Sequence, residues 1–128
     1  MAIRVVRLGS ERFSDEGLRI GTVRRPPRGV PKKEFASRNF YDVWLPILSP
    51  TPTTVKLGLG AKTDREFARF VRKFRAEMSA PDPKSVINLL AAMSHHADFS
   101  VGCYCEDEAR CHRSVLRDLL RERGATMK

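Results

Sequence analysis

No apolar run in this sequence approaches the roughly 20 residues that a membrane-spanning helix needs. The opening MAIRVVRLGS lacks the long apolar stretch of a secretion signal. Both absences point away from a membrane and towards the cytoplasm. Cysteine is scarce, and its count of three is odd, so no disulfide framework uses every thiol. In a reducing compartment such cysteines are free thiols or ligands. Repeats, low-complexity tracts and linker-like segments are missing too, which leaves 128 residues as one domain, 1–128. A chain of that size buries about two-thirds of its unfolded surface and needs no staple to be stable.

Acidic residues are the minority charge: 15 against 24 Lys and Arg, a formal net charge of +9. The excess sits early. Residues 1–40 hold ten basic and four acidic side chains, whereas residues 106–128 hold six and five. A positive field of this kind favours phosphate-bearing partners and speeds their arrival. The basic row Lys62, Arg65, Arg69, Arg72 and Lys73 reads instead as solvated helix surface, because the interleaved exposed aromatics of a single-strand binder are absent.

Two early segments read as strands. AIRVVRL (2–8) is short and β-branched, and LRIGTVRR (18–25) alternates Leu18, Ile20 and Thr22 with Arg19, Gly21 and Val23. PPRGVPKK (26–33) follows as a stiff loop, since its prolines and glycine exclude a helix or central strand. KEFASRNFYDVWLPIL spaces Phe40, Val43, Trp44 and Ile47 as a short helix limited by Pro46, and SPTPTT (49–54) reads as a proline-rich connection. The clearest helix is 63–78, where Thr63 and Glu66 form a capping box and Phe67, Phe70, Val71, Phe74 and Met78 make an apolar stripe. A further helix starts near Pro83, FSVGCYC (99–105) is a strand, and a last helix carries Val115, Leu116, Leu119 and Leu120 and stops at Gly124. Alternating strands and helices predict an α/β domain with a small, largely parallel sheet. Ligands of such sheets bind at the carboxyl ends of the strands.

All three cysteines fall in CYCEDEARCHR, 103–113. Strand alternation puts Phe99, Val101, Cys103 and Cys105 on one face. Cys103, mid-strand among apolar neighbours, reads as a buried small hydrophobe, while Cys105 at the strand's end looks into the loop. Cys111, His112 and Arg113 fall in the first turn of the last helix, where free N–H groups and the dipole favour anions and depress a thiol's pKa. Arg113 adds a forked donor for phosphate or carboxylate. Asp107 or Glu108 reads as the helix cap.

Several chemistries can be weighed on these residues. A zinc set of Cys103, Cys105, Cys111 and His112 has the spacing C-x-C-x5-C-H, without the usual C-x2-C knuckle, so no metal ligand is assigned. The phosphatase pattern of Cys, five residues and Arg fails from Cys103 and from Cys105. A nucleophilic thiol, Cys105 or Cys111, would take Glu106 or His112 as its base. An anion pocket asks least: helix-end amides, His112 and Arg113, joined by basic residues from elsewhere. RRPPRG also follows a strand. If the two strands are parallel neighbours, Arg25 or Arg28 meets Arg113 at one sheet edge.

The strand ending in RRPPRG, the later LSPT, the helix FARFVRKFRAEM and the final CYCEDEARCHRSVLRDLL together resemble the YeaO-like family of bacterial and archaeal proteins of unknown function. The resemblance spans nearly the whole chain. Its most specific elements are C-E-x4-C-H-R, here Cys105, Glu106, Cys111, His112 and Arg113, and P-R-G, here Pro27, Arg28 and Gly29. Members commonly carry Trp-Pro-Arg-Gly, where this chain has Pro26 in place of the tryptophan, and Trp44 matches a position that is often tryptophan. The resemblance implies a single three-layer, Rossmann-like domain and supplies no reaction.

Three functions follow. The leading one is a cytoplasmic domain that binds a phosphorylated or other anionic ligand, nucleotide or nucleic acid first, through Arg25, Arg28, Gly29, His112 and Arg113. The second is a thiol-dependent enzyme using Cys105 or Cys111, with Glu106 as base. The third is a structural or interaction protein without catalysis. None of them requires a cofactor.

Overall fold

The computed structural model describes residues 1–107 and 110–128. Glu108, one of the two candidate caps, lies outside the described residues. The strands are β1 (Ile3–Arg7), β2 (Leu18–Gly21), β3 (Val43–Trp44) and β4 (Phe99–Cys103), joined in one parallel sheet in the order β1-β4-β2-β3. The helices are α1 (Pro52–Leu59), α2 (Asp64–Met78), α3 (Pro81–Met93) and α4 (His112–Glu122). This is the α/β class expected from the alternation of elements. Every residue of β4 is buried, because β4 lies between β1 and β2, with Ile3 and Leu18 both opposite Phe99. Among the described residues no helix is long and apolar enough to cross a membrane.

The two faces of the sheet are covered differently. Leu57 of α1, Phe74 of α2, Leu90 of α3 and Leu116 of α4 join Ile3, Ile20, Phe99 and Val101 in one apolar core. The opposite side of β2 carries Arg19, which is fully buried and forms a bidentate pair with Glu16 (2.6 and 2.8 Å). Ser100 of β4 donates to the same carboxylate at 2.6 Å, and Arg19 Nη1 donates to the carbonyls of Ser10 and Asn39, both at 2.8 Å. A buried ion pair is tolerated when its remaining donors and acceptors are satisfied in this way. The partners come from the segments before β2 and before β3, which contain no α-helix.

Three local expectations are corrected. The short helix expected between 33 and 48 does not form. Lys32–Glu34 make one 3-10 turn, Asn39 adopts a φ of 64°, and Val43 and Trp44 pair with Ile20 and Gly21 as β3. Trp44 Nε1 donates to the Val23 carbonyl at 2.8 Å, so pairing with β2 overrides the helical spacing. The SPTPTT connection is partly α1: Pro52 sits in its first turn, where a missing N–H is no loss. Glu77 of α2 accepts from Thr51 N (3.0 Å), Thr51 Oγ1 (2.9 Å) and Thr54 Oγ1 (2.5 Å), a carboxylate at the positive end of α1. The N-cap of α4 is Cys111, without a side-chain cap bond, and not Asp107. By contrast, Thr63 caps α2 as its sequence predicts, accepting from Glu66 N at 3.1 Å.

Candidate functional site

Parallel pairing brings the end of β2 and the end of β4 to the same edge of the sheet, with Gly21 opposite Gly102. Glycine is needed at 102: a Cβ there would lie 2.5 Å from the Val6 carbonyl oxygen of β1. Two hydrogen bonds then tie the chain beyond one strand to the chain beyond the other. His112 Nε2 donates to the Thr22 carbonyl at 2.8 Å, and the Tyr104 hydroxyl donates to the Arg25 carbonyl at 2.9 Å. Arg24 adds the segment leading into α1 by donating to the carbonyls of Ser49 and Pro50, both at 3.0 Å.

These segments line a half-open cavity of about 720 Å³. Pro26, Pro27, Val55, Leu59 and Phe70 give it apolar walls, and Cys103, Cys105, Cys111 and His112 line its sulfur-rich part. Five cations border it. Arg24 is taken up as above, and Arg110 donates to the Thr63 carbonyl and pairs with Asp64. Arg25, Arg28 and Lys56 are exposed and have no side-chain partner among the described residues.

The sulfurs of Cys103 and Cys111 and a ring nitrogen of His112 all lie within 4.8 Å of one another. Cys103 and Cys111 are buried, Cys105 is half-buried, and all three are free thiols. Hydrogen bonds from Cys103 and Cys111 hold the Cys105 thiol well below its ordinary pKa, with His112 and Arg113 adding to the effect against burial. Cys103 is pushed up by its bonds to Cys105 and Cys111 and by burial. Cys111 reaches about 11: its bond to Cys103 acts downwards, but the bond to Cys105 together with burial outweighs it. Burial lowers the pKa of His112, although the Thr22 carbonyl opposes the shift.

A family model described as the active DUF488-N3 subclade, DUF488-N3a, matches residues 3–124. The chain belongs to this family. No curated protein and no solved structure matches it.

The DUF488-N3a domain brings Arg25, Arg28, Cys105, Cys111 and His112 to one cavity, as the parallel strands require. It does not bring Arg113 there. Arg113 is only 3% exposed, its Nη2 donates to the Cys105 carbonyl at 2.6 Å, and its Nε has no hydrogen-bond partner. The expected clamp of Arg28 with Arg113 is therefore replaced by exposed arginines from the β2 loop alone, with Arg113 bracing the exit of β4 from behind. Glu106 is exposed and pairs with Arg7 at 3.4 Å, and it does not line the cavity. Gly29 occupies an exposed turn at φ 75°, also off the cavity wall. Cys103 is buried as expected, but its sulfur belongs to the thiol cluster. Lys56, Val55 and Leu59 escaped the sequence because α1 itself did, and the Thr22 carbonyl has no signature in sequence at all.

Proposed function

We propose that this DUF488-N3a domain binds a small anionic ligand with an apolar or aromatic body, of the nucleotide class, at the carboxyl ends of β2 and β4. The observation that carries this reading is the make-up of one cavity. Its walls are apolar, and Arg25, Arg28 and Lys56 stand at its edge without partners among the described residues. Ligand cavities of roughly 300–1,000 Å³ with apolar walls and a few polar anchors are the usual form of small-molecule sites. An anion meeting these guanidinium groups breaks no existing ion pair, and arginine's fork suits phosphate. In this reading the phosphate sits on Arg25 and Arg28, the ring lies along Pro26, Pro27 and Phe70, and the far end faces Cys105 and His112. A half-open cavity of about 720 Å³ is of a size that takes a single nucleotide.

Thermal unfolding with nucleoside mono- and diphosphates, and with inorganic phosphate alone, tests the proposal. Nucleotides should raise Tm more than phosphate does, and the shift should shrink as salt screens the rim. Arg28→Ala should weaken binding roughly tenfold or more, since a hydrogen bond to a charged group is worth about 1.5–3 kcal/mol. No shift with any nucleotide at low salt, or an equal shift in Arg28→Ala, would contradict it.

A further inference from the structure

The donors that line the inner cavity have a use that anion binding at the rim does not need. Cys111 Sγ lies 3.8 Å from Nδ1 of His112, while Nε2 of the same ring is bonded to the Thr22 carbonyl at 2.8 Å. A carbonyl only accepts, so Nε2 carries the ring's hydrogen and Nδ1 turns a lone pair towards the sulfurs. Metal-bound imidazoles are held in this way, with the far N–H fixed by an outer acceptor that sets ring orientation and tautomer. Cys105, a half-buried free thiol just past β4, lines the same cavity wall as Cys103, Cys111 and His112.

We propose that Sγ of Cys103, Sγ of Cys111 and Nδ1 of His112, with Sγ of Cys105 as fourth donor, hold one divalent metal ion of the zinc class. Thiolate and imidazole donors in a set of four select a tetrahedral, borderline-soft ion and reject magnesium and calcium. Donors bonded at about 2.0–2.3 Å to such an ion stand about 3.5–4 Å apart. The observed spread, up to 4.8 Å for three of them, closes with small side-chain rotations. On binding, the thiol protons leave to solvent, and three thiolates around a divalent ion leave one net negative charge. Arg113 then has a reason to be buried. It is bonded to the Cys105 carbonyl and pairs with no carboxylate among the described residues, so it supplies the counter-charge. The amino end of α4, which begins at His112, favours the same sign.

This site goes beyond the nucleotide reading and does not rest on it. The test uses the full chain, reduced and stripped with a chelator, then titrated with Co²⁺. One equivalent should produce thiolate-to-cobalt charge-transfer absorption and the strong visible bands of tetrahedral cobalt. Zn²⁺ should bleach both and raise Tm. Cys111→Ala and His112→Ala should lose the spectrum, Cys105→Ser should weaken the charge-transfer band while keeping the visible bands, and Lys84→Ala, exposed on α3 and off the cavity wall, should leave the spectrum unchanged. Should a cluster variant fail to fold, the wild-type chain still decides the matter, because Zn²⁺ must shield all three thiols from alkylation in the intact mass. Absent charge-transfer absorption at excess cobalt, with alkylation indifferent to zinc, would overturn the proposal.

Discussion

Two buried arginines in this molecule solve the same problem differently. Arg19 is neutralised by Glu16, and the pair is saturated with hydrogen bonds. Burial alone would raise the pKa of Glu16, but the bonds from Arg19 and Ser100 outweigh it and hold the carboxyl below its ordinary 4.5. A carboxyl depressed in the folded state adds stability that is full above its unfolded pKa and lost as pH falls through the folded one. Urea midpoints from about pH 6 down to about pH 3 should therefore fall more steeply for the wild type than for Glu16→Gln. The variant should also start about 3–5 kcal/mol lower, because Arg19 is left unpaired. Parallel curves would show that the pair contributes nothing to the acid limb. Arg113 has no such carboxylate among the described residues. Arg113→Ala should cost about 1–3 kcal/mol through the abandoned Cys105 carbonyl, while nucleotide affinity at the rim stays as it was. A loss of affinity as large as that of Arg28→Ala would return Arg113 to the ligand.

At the scale of elements, what could be read from sequence was what is locally encoded. Thr63 and Glu66 announce α2, and its phenylalanine stripe names the buried face. The β-branched AIRVVRL and the short FSVGCYC announce β1 and β4, although the strands end sooner than the pattern does. The misses are tertiary. β3 is two residues long and exists because β2 offers an edge, and α1 is fixed by Glu77 from another helix. Alternation along β2 gave no hint that Arg19 is buried, since its partner Glu16 precedes the strand. The site divides in the same way: the RRPPRG and CYCEDEARCHR stretches were visible, and parallel strands explain their meeting, but the direction taken by Arg113 and Glu106 was not. β4 provides the sharpest test of the packing. Gly102→Ala would push a methyl group to 2.5 Å from the Val6 carbonyl, and overpacking of that kind costs about 1–3 kcal/mol. A wild-type Tm in this variant would mean that β1 and β4 lie further apart than described.

Across the whole molecule the formal net charge is +9, and three of its exposed cations, Arg25, Arg28 and Lys56, border one cavity at the sheet edge. Helices close one face of the sheet and the Glu16–Arg19 network closes the other, so the carboxyl edge is where side chains with spare valence gather. Exposed cations from the β2 loop and α1 stand over thiols from β4 and α4. These two sets share one space. The most direct measurement compares the rates at which anionic iodoacetate and neutral iodoacetamide alkylate Cys105 in reduced, metal-free protein, resolved by peptide mass spectrometry. If Arg25 and Arg28 overlook the thiol, the iodoacetate-to-iodoacetamide ratio should exceed that of a free cysteine, fall with added salt, and collapse in Arg25→Ala/Arg28→Ala. A ratio identical in the wild type and the double variant would mean that the arginines and the thiol do not face the same cavity.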